Sequence, residues 1–174
     1  MHKAIFIDRD NTLIKDEGYF HDPEAIEFID GAIEALRALR KNGFLIFIIT
    51  NQSGIGRGIF TKEELGDVHK EIIKLLKKEG VEIDAIYYCP HHPSDNCDCR
   101  KPKPYLVNQA IKNYDVDIKN SFFIGNDLKD MQTGRNAGVK TVAVFLKERP
   151  IQDLVDFKAV NFREVVNWIL SETR

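Results

Sequence analysis

Two carboxylates, Asp8 and Asp10, close the apolar run AIFID at residues 4–8. Like charges this close resist joint ionisation unless something offsets them, and a divalent cation does so. Taken alone, Asp-x-Asp reads equally well as a turn cap. A second polar cluster, Thr50-Asn51-Gln52-Ser53-Gly54, closes the run FLIFIIT, with Gly56 and Gly58 just beyond. Its hydroxyls, amides and backbone donors suit phosphate oxygens. A third cluster, Gly125-Asn126-Asp127, closes SFFIG. Asn126 and Asp127 bring oxygen ligands of the kind Mg²⁺ takes, beside Asp8. Asp127, with Asp130 in the next turn, also fits a helix N-cap.

The three cysteines all lie in the segment Cys89-Pro-His91-His92-Pro-Ser-Asp-Asn-Cys97-Asp-Cys99. An odd, clustered set is a poor disulfide framework. Three thiolates and one imidazole form the Cys₃His set of a closed, structural Zn²⁺ site. The alternate spacing favours Cys89, His91, Cys97 and Cys99 as ligands, with His91 ahead of His92. Arg100 and Lys101 follow directly, so a metal anchor would hold two cations in place rather than leave them in solvent.

These clusters need a scaffold that gathers strand ends. Short apolar runs at 4–8, 44–50, 84–89, 121–125 and 141–145 read as five buried strands. Between them lie helical patterns: 31–43 with Ile33, Leu36 and Leu39; a helix opened by the capping box Thr61-x-x-Glu64; one from Pro104 to Tyr114; one over 128–137 stopped by Gly138; and a last one opened by Asn161-x-x-Glu164. Strands alternating with helices predict an α/β domain, a Rossmann-like parallel sheet with helices on both faces, over residues 1–174. Such sheets collect ligands beyond the carboxyl ends of their strands.

The whole composition is compatible with this. The chain has 174 residues and a formal net charge of −2, without the basic excess expected of a nucleic-acid binder. The longest apolar stretch is too short to cross a bilayer. With Asp8, Arg9 and Asp10 so early, no signal peptide is expected, and the expected setting is a cytoplasmic monomer without nucleic-acid or membrane partners. His2, His21 and His69 read as surface or loop residues, and Trp168 and the phenylalanines as packing.

The ordered set FIDRDNT, IITNQSG, RKP and FFIGNDLKD, each at a strand end, resembles the haloacid dehalogenase (HAD) superfamily of phosphohydrolases. With CPHHPSDNCDC it is similar to the zinc-containing, histidinol-phosphatase-like branch. TNQSGIGRG, CPHHP and Asp16-Glu17-Gly18-Tyr19 narrow the likeness to the heptose bisphosphate phosphatases there. The resemblance implies an HAD-like core without a large cap domain. It implies Asp8 as nucleophile, Asp10 as general acid–base, and Thr50 and Lys101 as holders of the phosphoryl group. It implies substrate contacts from Asp16, Glu17, Gly18, Tyr19, Asn51, Gln52, Ser53 and Arg100. Catalytic Mg²⁺ would sit on Asp8, Asp10 and either Asn126 or Asp127, since Asn126 replaces a usual Asp. The implied reaction removes the 7-phosphate of a heptose 1,7-bisphosphate. Histidinol phosphate, a polynucleotide 3′-phosphate or a non-catalytic zinc-supported binding module are the alternatives.

Overall fold

The structure, a computed structural model, describes residues 1–146 and 153–173. Six strands form one parallel sheet: β1 (Ala4–Ile7), β2 (Leu45–Asn51), β3 (Ala85–Cys89), β4 (Phe122–Gly125), β5 (Lys140–Val144) and β6 (Phe157–Ala159), in the order β3-β2-β1-β4-β5-β6. Five of them are the expected runs. β6 was not expected, because a three-residue strand carries too short a pattern to register as alternation.

Sheet residues alternate between two apolar layers. Ile5, Ile7, Ile46, Ile48 and Ile124 face α1 (Ala32–Lys41), α2 (Lys62–Lys78) and α5 (Phe162–Glu172). Ala4, Phe6, Phe47, Ile49 and Phe123 face α3 (Tyr105–Asn113), and Ala137 of α4 (Leu128–Ala137) joins them. Burial on both faces explains why the strands read as continuous apolar runs. On one side Phe6 stacks between Phe47 and Phe123, with ring centroids 5.5 and 6.5 Å away. Trp168 packs as expected, stacked on Phe157 at 5.1 Å.

Helix boundaries follow local chemistry. Thr61 and Glu64 make the full capping box that starts α2, and Gly138 ends α4 in a left-handed conformation. One histidine departs from the sequence reading: His69 is a buried residue of α2. His21 is an exposed loop residue as expected, stacked on Phe60 at 5.4 Å.

The topology decides where a site forms. From β1 the chain adds β2 and β3 on one side, then β4, β5 and β6 on the other. The order therefore reverses between β1 and β4, which opens a crevice beyond their carboxyl ends. The Asp8 amide donates to the Ile124 carbonyl at 3.0 Å, stitching the two strand ends together at that point.

Candidate active site

The crevice is an open cleft of about 260 Å³, lined by residues from four segments that include Asp8, Asn51, Lys101, Asn126 and Asp130. Its centre is Lys101, almost wholly buried. The ammonium donates to Asp8 Oδ1 at 2.6 Å, Asp130 Oδ1 at 2.6 Å and the Ile49 carbonyl at 3.1 Å. All three of its protons are thus engaged. Burial works against its charge, but Asp130 and Asp8 outweigh that and hold its pKa above the ordinary lysine value.

Two carboxylates share this one cation. Burial pushes the Asp8 carboxyl up; Lys101 pulls it back, and Asp10 adds repulsion. Burial and then Asp8 push Asp130 up to about 7, against the pull of Lys101. The cluster carries more negative charge than it can neutralise, which suits a further cation.

From the sequence alone Asp130 reads only as a first-turn residue of the helix after β4. Its spacing explains its real place. The carboxylate caps α4 with Oδ2 on the Asp127 amide at 3.2 Å, leaving Oδ1 aimed at Lys101. Gly125 makes room, because a Cβ there would lie 2.3 Å from the Asp130 Cβ. The signal was the three-residue step from Asp127 to Asp130, one helical turn long.

Thr12 was also missed. Its hydroxyl stands 3.2 Å from both Asp8 Oδ2 and Asn126 Oδ1. One proton cannot serve two acceptors fully, so oxygen ligands outnumber donors at this corner. Asn126 is thus the residue after β4 whose side-chain oxygen shares the Thr12 hydroxyl with Asp8. Asp127 lines the cleft too, but its Oδ1 accepts from the Lys129 amide at 2.7 Å as an N-cap.

Asp10 lines the same cleft. Arg9 Nε donates to its Oδ1 at 2.5 Å and Gln52 Nε2 to its Oδ2 at 2.8 Å. Burial pushes this carboxyl up, Arg9 pulls it back, and Asp16 raises it again. Gln52 also donates to Thr50 Oγ1 at 2.8 Å, and Thr50 has no exposed surface. Asn51 clamps the Lys101 backbone, accepting from its amide at 3.0 Å and donating to its carbonyl at 3.2 Å. The Asn51 and Gln52 side chains thus hold the machinery together. Ser53 and the 16–19 segment lie outside the cleft wall. That segment is tethered by Asn11, whose side chain exchanges hydrogen bonds with the Asp16 backbone at 2.8 and 3.0 Å. Asn11 adopts the left-handed φ of 57° that asparagine tolerates.

Arg100 lines the cleft with a buried Nη1 that has no hydrogen-bond partner among the described residues. An orphaned guanidinium nitrogen in a cleft wall is suited to an arriving anion.

Behind Arg100, the sulfurs of Cys89, Cys97 and Cys99 and a ring nitrogen of His91 lie within 4.8 Å of one another. Sulfur separations are 2.7–3.6 Å. A tetrahedral ion with Zn–S bonds near 2.3 Å needs about 3.8 Å, so the cluster is closely set for a metal. His92 instead turns to Ser94 at 2.7 Å. The 52–58 loop packs onto this segment, its Gly56 amide donating to the Pro90 carbonyl at 2.9 Å.

Comparison with known proteins agrees with this geometry. The model of the polynucleotide kinase 3 phosphatase family matches residues 3–146. The chain is 43% identical over 159 residues to D-glycero-β-D-manno-heptose-1,7-bisphosphate 7-phosphatase of Pasteurella multocida, covering 88% of this chain and 86% of that one. The enzyme of the same name from Escherichia coli K12 is 41% identical over 155 residues, covering 85% and 81%. A crystal structure of D,D-heptose 1,7-bisphosphate phosphatase from B. bronchiseptica, complexed with magnesium and phosphate, superimposes with a TM-score of 0.89 at 29% identity, covering 98% and 99%. The chain belongs to the HAD-superfamily phosphatases, phosphoric monoester hydrolases, in the polynucleotide kinase 3 phosphatase family and among its heptose bisphosphate phosphatases.

Proposed function

We propose that this phosphatase removes the 7-phosphate of D-glycero-β-D-manno-heptose 1,7-bisphosphate through an acyl phosphate on Asp8. The observation that carries the reading is the Lys101 ammonium locked between Asp8 and Asp130 at the sheet's switch point, 2.6 Å from each. The substrate follows from the relatives' names and the open polar cleft.

The residues fit Mg²⁺: buried excess negative charge at Asp8 and Asp130, and surplus oxygen acceptors around Thr12. Asp8 and Asn126 side chains and the Asp10 backbone carbonyl would hold it. When bound, it would offset the repulsion between Asp8 and the phosphate dianion.

The chain's own residues supply the rest. Lys101 pulls against the burial that raises the Asp8 pKa and stands beside the transferring group, where a fixed cation stabilises the equatorial oxygens. Asp8 forms a bond to phosphorus as the ester oxygen leaves, and Asp10 gives that oxygen its proton. Asp10 then takes a proton from the water that releases inorganic phosphate and frees Asp8. Thr50, buried behind the wall and tied to Gln52, supports the loop against which the phosphoryl group lies. Arg100 meets the substrate anion, with Tyr19 on the outer rim. Zn²⁺ on Cys89, His91, Cys97 and Cys99 would be structural, fixing the segment that leads into Arg100 and Lys101.

Phosphate release tests this on three substrates: the heptose bisphosphate, histidinol phosphate and a 3′-phosphorylated oligonucleotide. The proposal expects the largest kcat/KM on the first, with the 1-phosphate retained. A preference for the oligonucleotide would instead match the family model's description.

A further inference from the structure

Arg9 lies between the two catalytic carboxylates in sequence, yet its side chain has no exposed surface. A buried guanidinium costs several kcal/mol unless it is paired well, so its partners are informative. Nε donates to Asp10 Oδ1 at 2.5 Å. Nη1 faces His69 Nε2 at 3.5 Å, and Nη2 donates to the Phe20 carbonyl at 3.4 Å. One cation thus touches the acid–base carboxylate, helix α2 and the end of the 16–20 rim segment. His69 is a fixed acceptor: burial, then Arg9, pushes its pKa down to about 3, and its ring lies edge-on to Tyr88 at 5.7 Å. Gln52 holds the other Asp10 oxygen, so the carboxylate is gripped by two donors from two directions.

We propose that Arg9 is a positioning residue that orients the Asp10 carboxylate toward the leaving-group oxygen and ties that pose to the rim segment through Phe20. The inference rests on the acid–base role of Asp10 given above. Reaction rates fall steeply when a reacting group is misplaced by about 1 Å, so a loosened Asp10 should act through kcat rather than KM.

The test is a double-mutant cycle of Arg9→Met and Asp10→Asn, with Arg9→Lys as the conservative variant, on heptose 1,7-bisphosphate and p-nitrophenyl phosphate. Arg9→Met is expected to lower kcat on the sugar phosphate about 10–100-fold, less than the roughly 10²–10⁴-fold that acid–base catalysis as a whole contributes, with KM nearly unchanged. Arg9→Lys should recover part of the loss. In the Asp10→Asn background Arg9→Met should cost almost nothing more. The aryl phosphate, whose leaving group needs no proton, should lose less than the sugar phosphate. Additive losses, or equal losses on both substrates, would overturn the inference while leaving the proposed reaction intact. A wild-type protein inactive on every phosphate would overturn both. If Arg9→Met fails to fold, His69→Phe takes its place: it removes the acceptor from outside the cleft and should show the same non-additivity with Asp10→Asn.

Discussion

In the proposed reaction, one ammonium and the two carboxylates it bridges carry most of the chemistry. Asp8→Asn should abolish turnover while leaving the thermal unfolding midpoint close to wild type, and measurable steady-state activity would count against the nucleophile. Lys101→Met has a different signature. It leaves Asp8 and Asp130 buried together without their cation, and breaking a buried pair costs about 3–5 kcal/mol. Urea unfolding should register that loss along with inactivity; unchanged stability would mean that the pairing at 2.6 Å contributes little. At this scale the sequence was only partly legible. Asp8 and Asp10 stand out because they close an apolar run, and Lys101 because it directly follows the cysteine cluster. Asp130 and Thr12 do not, since each looks like an ordinary turn or helix residue until the strand ends bring it against a partner from a distant segment. Arg9 and His69 were hidden for the same reason: in the fold they are buried and in contact, though 60 residues apart in sequence.

Segments gain their meaning from what they rest on. The cysteine-bearing loop between β3 and α3 has little apolar content and would be held by its metal cluster and by the 52–58 loop. Gly56 is the contact point: a Cβ there would lie 2.4 Å from the His92 backbone nitrogen. Gly56→Val should force the two loops apart and destabilise the protein by about 1–3 kcal/mol, the usual cost of overpacking. Equilibrium unfolding checks this, and a neutral result would show that the loops move freely. Stripping Zn²⁺ with a strong thiolate-site chelator should expose the 89–99 segment to limited proteolysis and lower kcat, because Arg100 and Lys101 follow it directly. An unchanged digestion pattern would contradict the structural role. The cysteine spacing was readable because metal geometry is local; the docking of the glycine loop onto it was not, because the 52–58 loop carries no pattern that names its partner.

The molecule as a whole was legible through its continuous apolar strands. They could only be buried on both faces, which fixes parallel pairing and helices on both sides. The short β6 escaped because sheet edges need little pattern. Stability of the whole should depend on pH through His69. Its folded pKa of about 3 lies below the ordinary 6.5, so below pH 6.5 the unfolded chain binds a proton that the folded one refuses. Stability is therefore lost as pH falls from about 6.5 towards 3, by up to about 1.4 kcal/mol per pH unit from this group. Urea titrations over this range should show a shallower slope for His69→Phe than for wild type; equal slopes would place the imidazole in water.

The most direct measurement follows phosphorus itself. The protein, mixed with Mg²⁺ and substrate, is quenched in acid during turnover, reduced with borohydride and mapped by mass spectrometry. The account predicts a reductively trapped acyl phosphate at Asp8 and nowhere else. Full turnover with Asp8 unmodified, or trapping at another carboxylate, would contradict it.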